Sequence, residues 1–178
     1  MLETIGLILL ALGAIFWFPY RLRTTRKGAP FLPTEPKVVE RVMKLANLKK
    51  GEVFYDLGSD DGRLVITAAL YGAKAYGVEI DCLHVLYSRV WIKLLRLFQK
   101  AQIIRQDFFK TDLSKANVVS LYLLEETNQK LKEKIKEELR EGTRVISSGF
   151  IIPGWRPTRI NFKGPIYGPI YLYEIGKK

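Results

Sequence analysis

One cysteine, Cys82, and one histidine, His84, are all that this chain of 178 residues has of the two residue types that most often hold transition metals. A lone cysteine forms no internal disulfide and suits a reducing compartment. A lone histidine with no companion cluster argues against a transition-metal site. A Ser-His-Asp triad would have to use His84, and nothing in the sequence positions it. There is no repeat and no low-complexity tract, and a content of 48% hydrophobic and 12% aromatic residues excludes a disordered chain. Acids are outnumbered: 29 Lys and Arg face 18 Asp and Glu, a net charge of +11, so the expected partner surface is anionic, nucleic acid or acidic lipid. The length fits one domain of ordinary size with a real core.

What the chain does have is a turn. Asp56-Leu57-Gly58-Ser59-Asp60-Asp61-Gly62 follows a short apolar run, Glu52 to Tyr55, and leads into a helical run, Arg63 to Tyr71. A strand that enters a helix through glycines lets backbone N–H groups approach a ligand closely. Glu79 closes the next apolar run, Ala73 to Val78. A carboxylate about 20 residues after such a turn is placed to hold ribose hydroxyls. The pair of features predicts a βαβ unit that binds an adenosine-containing cofactor. The third glycine of a dinucleotide fingerprint is missing, and so is the Gly-Lys-Ser/Thr of a P-loop. Asp56, Asp60 and Asp61 would repel a pyrophosphate. They suit a ligand that carries a sulfonium and an ammonium, which describes S-adenosylmethionine. No metal is expected.

Ahead of this unit, Thr4 to Tyr20 holds no charge and ends in Phe16-Trp17-Phe18-Pro19-Tyr20, followed by Arg21, Arg23, Arg26 and Lys27. Seventeen residues span about 25 Å as a helix, close to a hydrocarbon core of about 30 Å. Charge follows the apolar run instead of preceding it, which is the reverse of a signal peptide. The expectation is a transmembrane anchor helix over residues 1–23, a basic Pro-containing connector over 24–36, and a folded domain over 37–178. The positive-inside rule then makes this a single-pass membrane protein with its domain in the cytoplasm.

Val38 to Asn47 has helical spacing. A long helix is predicted over Leu83 to Lys100, a strand over Ala101 to Arg105, and a buried strand within the apolar run Asn117 to Leu124. A Lys- and Glu-rich helix follows over Glu126 to Arg140, with Leu131, Ile135 and Leu139 inward. Strands over Thr143 to Ser147, Arg156 to Phe162 and Pro169 to Ile175 complete the pattern, the last two as a closing hairpin. The alternation predicts an α/β fold: a doubly wound, seven-stranded, mostly parallel sheet, Rossmann-like, behind an N-terminal hydrophobic helix.

In these features the chain resembles class I SAM-dependent methyltransferases. More narrowly it resembles the archaeal protein-lysine methyltransferases and the ATP synthase c-subunit lysine N-methyltransferase family. The matching pieces are Phe31-Leu32-Pro33-Thr34, Val53 to Ser59, Asp61-Gly62-Arg63, Gly77-Val78-Glu79-Ile80, Gly142 to Val145, Phe150, Gly154-Trp155 with Pro157, and Tyr171-Leu172-Tyr173. The resemblance covers Pro30 to Gly176. It implies that Asp56, Gly58 and Ser59 line the methionine end of the cofactor above Gly62. It implies that Glu79 takes the ribose hydroxyls with Ile80 beside it. Asp107 would accept from the adenine amino group, Phe108 would lie on the adenine face, and Phe31 with Thr34 would close over the cofactor. The acceptor pocket would follow the fourth strand at Leu124 to Asn128. Tyr122, Glu125, Asn128 and Trp155 are its candidate catalytic residues, with Glu126 and Phe150 nearby. Asp60 departs from the family's glycine at a left-handed position that Asp tolerates better than most residues, and its carboxylate is a candidate contact for the cofactor ammonium. Glu125, Glu126 and Ser148-Gly149 also depart from the family's residues.

The implied function is lysine methylation of a protein at or in the membrane. Rivals share much of the pattern: a lipid or quinone methyltransferase, an RNA methyltransferase, and a non-catalytic SAM-binding membrane protein. Nucleic acid is disfavoured as a partner, because the Asn/Asp-Pro-Pro-Tyr pocket of base amino methylation is absent. Within Leu83 to Lys100, the stripe Leu86, Tyr87, Val90, Leu94 and Leu97 is expected to face the sheet. Trp91, Leu95 and Phe98, beside the bases Arg89, Lys93, Arg96 and Lys100, are expected to touch an anionic membrane.

Overall fold

The computed structural model describes residues 36–162 and 168–176. The anchor expected over 1–23, nearly all of the connector, and the candidate cofactor residues Phe31 and Thr34 lie outside the described residues. Among the described residues no helix is long and apolar enough to cross a membrane.

The described residues form four α-helices and seven strands in the order α1 (Pro36–Ala46), β1 (Val53–Leu57), α2 (Arg63–Leu70), β2 (Lys74–Glu79), α3 (Cys82–Leu94), β3 (Ala101–Arg105), β4 (Val118–Leu121), α4 (Glu125–Glu138), β5 (Arg144–Ser148), β6 (Arg159–Phe162) and β7 (Pro169–Glu174). A proline opens α1, where its missing N–H costs nothing, and Val38, Val39, Val42, Met43 and Ala46 turn one apolar face inward. The sheet order is β3-β2-β1-β4-β5-β7-β6. Strands β1 to β5 run parallel, and β7 enters antiparallel between β5 and β6. Both faces of β4 are buried, which is why Val118-Val119-Ser120-Leu121 carries apolar residues on both faces and only a small serine among them.

Val42, Met43, Leu64, Val65, Val85 and Ile92 pack with Phe54, Ala75, Ile103, Val118 and Ile146 in one cluster beneath α1, α2 and α3. Leu131, Ile135 and Leu139 of the α4 region are fully buried, as their spacing predicts. The chain steps from β1 outward to β2 and β3, then returns to lay β4 and β5 on the other side. The point of reversal, between β1 and β4, opens a crevice at the C-terminal ends of the strands.

Helix α3 departs from expectation twice. It ends at Leu94, because Arg96 takes a left-handed conformation (φ 56°) and Leu97 N–H closes back onto Ile92 O at 2.9 Å, a Schellman-type stop. Its sheet-facing positions are Val85, Ser88 and Ile92, whereas Leu86, Tyr87, Val90 and Leu94 point outward. The reason is a close approach. A Cβ on Gly62 would lie 2.9 Å from Ser88 Cβ, so only a small side chain fits where the helix crosses the turn.

Candidate active site

Every candidate residue that the structure describes lies at or past the C-terminal end of a parallel strand. Asp56 is the penultimate residue of β1 and Gly58–Gly62 follow that strand, Glu79 is the last residue of β2 and Ile80 follows it, Asp107 and Phe108 follow β3, Tyr122 to Asn128 follow β4, and Trp155 follows β5. Gly58, Asp60 and Gly62 all take positive φ (77°, 52° and 76°), so the backbone coils tightly and two of the three positions need glycine. Gly58 and Ser59 both donate to Val78 O, at 2.9 and 3.1 Å, which ties the turn to β2. Gly77 is part of this fit: a Cβ there would stand 2.5 Å from Ser59 Oγ and 2.6 Å from Ile103 Cδ1.

Glu79 is the hub. Its Oε2 accepts from Asp60 N–H at 3.0 Å, and its Oε1 accepts from Ile80 and Asp81 N–H at 2.8 Å each. A carboxylate has roughly four acceptor positions, so one remains, on Oε2, for a hydroxyl of a ligand.

The acids sort themselves by partner. Asp61 is held by the Arg63 guanidinium, whose Nε lies 2.8 and 2.9 Å from its two oxygens. Asp60 pairs with His84 Nδ1 at 2.9 Å. Burial opposes charge on His84, but the hydrogen bond to Asp60 and the nearby charges of Asp60, Glu79 and Asp81 outweigh it and raise the imidazole above its ordinary value. His84 therefore has a positioning partner after all. Its link to Asp60 joins residues on separate elements, which the sequence does not display. Ser88 Oγ, 2.9 Å from Asp60 O and 2.8 Å from His84 O, braces the same junction.

Of the three acids in the turn, Asp56 has no cation beside it. It is buried, and burial pushes its carboxyl up to about 8. The charges of Asp60, Glu79 and Asp61 add to the rise, and the Ser120 hydroxyl across the sheet offsets only part of it. That hydroxyl makes no hydrogen bond of full geometry, and Ser59 Oγ is likewise buried without a partner. A buried acid short of a cation and an orphaned hydroxyl beside a glycine turn are what a cationic adenosyl ligand would complete. The donor set fits S-adenosylmethionine. Farther along the edge, Asp107 caps the turn Phe108–Lys110 by accepting from Phe109 N–H at 3.0 Å, and the half-buried Phe108 ring sits 4.9 Å from that of Phe109.

The acceptor side is looser. Tyr122 is half-buried and lies against Gly149, where a Cβ would meet its ring at 3.1 Å. Glu125 and Glu126 are exposed in the first turn of α4, where the helix dipole favours negative charge. Trp155 is half-buried, edge-on to Tyr173 at 5.9 Å, so its ring is packed on one side and open on another. Asn128 is fully buried. Its Nδ2 donates to Ser147 Oγ (3.2 Å) and Ile151 O (3.0 Å), while its Oδ1 has no partner. Ser147 Oγ in turn donates to Phe150 O at 2.6 Å. Asn128 thus fixes the loop after β5 from α4. Ser147 belongs to this network and is not among the residues the sequence singles out, since a serine inside an apolar strand carries no signal of its own.

A doubly wound sheet with an acid-bearing glycine turn at its switch point defines a Rossmann-like methyltransferase, the class whose cofactor is S-adenosylmethionine. The chain belongs to the family of the ANTKMT methyltransferase domain, whose model matches residues 56–159. It is 39% identical over 152 residues to a protein-lysine N-methyltransferase of Saccharolobus islandicus, covering 83% of this chain and 94% of that one. It is 32% identical over 135 residues to the human ATP synthase c-subunit lysine N-methyltransferase, covering 76% of this chain but only 58% of that longer protein. A solved structure of an RNA methyltransferase from Salinibacter ruber, in complex with S-adenosyl-L-homocysteine, superposes with a TM-score of 0.78 at 37% identity over 83% of this chain and 95% of that one.

Proposed function

We propose that this methyltransferase acts on lysine ε-amino groups of a protein at or in a membrane, and that residues 1–23 hold its domain at the cytoplasmic face. The observation that carries the acceptor class is the 39% identity across nearly the full length of a relative named for protein-lysine methylation. A mouse relative named for the adenine nucleotide translocase, 30% identical over 172 residues and covering 96% of this chain, supports a membrane-embedded acceptor.

Bound S-adenosylmethionine supplies a methyl group on a sulfonium centre. The chain's residues do the rest. Asp56, once ionised, would face the cationic methionine end, and Glu79 would accept a ribose hydroxyl on the free position of Oε2. A lysine enters protonated and would have to release its proton to solvent water before its lone pair could take the methyl group. Glu125 and Glu126, exposed at the pocket mouth, attract that ammonium. Tyr122 and the open face of Trp155 receive it by cation–π contact. Asn128 keeps the loop Gly149–Ile151 against the pocket, and alignment supplies much of the rate.

The name of the Salinibacter ruber neighbour and the net charge of +11 favour RNA as a second acceptor. The test is transfer of tritium from labelled S-adenosylmethionine to membrane protein, bulk RNA and extracted lipid, followed by acid hydrolysis. Label recovered as methyl-lysine is the expected result. Label in RNA or lipid with none in protein overturns the proposal.

A further inference from the structure

Helix α3 has two apolar faces, and the sheet uses the poorer one. Val85, Ser88 and Ile92 face inward. Leu83, Leu86, Tyr87, Val90, Trp91 and Leu94 stand at i, i+3, i+4, i+7, i+8 and i+11, the stripe a core-facing helix should bury. All six are exposed, Leu94 at 67% and Leu86 at 62%, and Phe98 beyond the helix end is exposed at 66%. A contiguous apolar stripe of this kind marks a binding surface.

Charge identifies the occupant. Between Cys82 and Gln106 there is no Asp or Glu, while Arg89, Lys93, Arg96, Lys100 and Arg105 are all basic. Arg89 is committed to Ile103 O, at 2.8 and 3.2 Å. Lys93, Arg96 and Lys100 are exposed beside the stripe. A second copy docked on this face would bring like charges together with no acid from the segment to pair them, which disfavours a dimer. The apolar stretch Thr4 to Tyr20 brings no carboxylate either, and bases follow it. An anionic lipid leaflet supplies both an apolar layer for the stripe and negative headgroups for the bases, with Tyr87 and Trp91 suited to the interface.

We infer that the outer face of α3 lies on an anionic bilayer surface. This second membrane contact stands on residues other than the N-terminal segment and does not depend on which acceptor is methylated. Because α3 starts directly after Glu79-Ile80-Asp81, docking along the stripe sets the cofactor turn beside the bilayer, where a lysine near the membrane surface is within reach.

Cys82 is the sole cysteine, so the full chain carrying Cys82→Ser and Leu94→Cys takes one nitroxide label on the exposed stripe. Its accessibility to oxygen and to a water-soluble nickel chelate is read in solution, on phosphatidylcholine vesicles, and on vesicles that also contain phosphatidylglycerol. The expected result is nickel access in solution and on phosphatidylcholine, replaced by oxygen access on the anionic vesicles. Adding Lys93→Gln, Arg96→Gln and Lys100→Gln should lower the lipid-exposed to water-exposed ratio at least about tenfold. A label that stays nickel-accessible on anionic vesicles overturns the inference. So does equal insertion into both vesicle types. Protection from both reagents before any lipid is added shows that protein covers the face and overturns it as well.

Discussion

The two halves of the crevice are built on different principles. On the β1–β2 side, backbone groups do the holding: Glu79 collects three N–H donors, and Gly58 and Ser59 both reach Val78 O. On the β4–β5 side, side chains do it, across separations of 19 and 23 residues from Asn128 to Ser147 and Ile151. The first half is a tightly fitted cradle that one short stretch of chain nearly completes. The second is assembled from distant pieces, with exposed carboxylates and an aromatic ring packed on one side. A cofactor common to the class suits the rigid half, and an acceptor that differs between members suits the adjustable one.

The largest contrast should appear in paired glycine substitutions. Gly77→Ala drives a methyl group into Ser59 and Ile103 in the cradle and should cost about 3 kcal/mol, with loss of cofactor binding. Gly154→Ala, in the acceptor half, meets only the flexible end of Lys132 and pays mainly for its positive φ of 75°, about 1–2 kcal/mol. Denaturant unfolding of both variants checks this, and equal losses would erase the distinction.

Asn128→Ala should split binding from turnover. Removing two buried hydrogen bonds frees the loop Gly149–Ile151, so kcat/KM for the acceptor should fall on the order of tenfold or more. The Kd for S-adenosylmethionine should stay within about twofold, as titration calorimetry would show.

Asp56 makes the cradle pH-dependent. The fold keeps its carboxyl protonated up to about 8, against an ordinary 3.8, while the unfolded chain releases that proton. Stability of the cofactor-free protein should therefore fall as pH rises from 3.8 towards 8. Cationic cofactor favours the ionised carboxylate, so binding expels a proton. Affinity should rise with pH towards 8, by on the order of tenfold, and Asp56→Asn should flatten that rise.

The smallest effect is at Asp60. Glycine accepts the φ of 52° without strain, which offsets part of the lost pair with His84, so Asp60→Gly should lower stability by about 1 kcal/mol or less. The measurable consequence is the imidazole of His84. Its raised value contributes stability that is complete below the ordinary 6.5 and is lost as pH rises through the folded value. Without Asp60, its NMR titration should move back down.

The same asymmetry governs what can be read from sequence. The cradle is legible because its chemistry is consecutive: glycines at positive φ, an acid at the end of the next strand, and apolar runs buried on both faces. Strands β1 to β5 and the closing hairpin follow from those runs. The Asp60–His84 pair and the Asn128–Ser147 network are not legible, since each joins residues that only the folded sheet brings together. The orientation of α3 eludes the sequence for a related reason. Periodicity reports that a face is apolar, not which apolar face the sheet takes, and here Gly62 leaves room only for Ser88.

Glu79 is the hub of the cradle, and the most direct test of that role is titration of S-adenosylmethionine into the full chain with and without Glu79→Gln. The amide has a single accepting oxygen, so its NH2 replaces an acceptor either at Asp60 N–H and the ribose position or at Ile80 and Asp81 N–H. Affinity is predicted to fall at least about tenfold while circular dichroism shows the fold intact. An affinity within about twofold of the unaltered protein would contradict the assignment of this turn as the cofactor site.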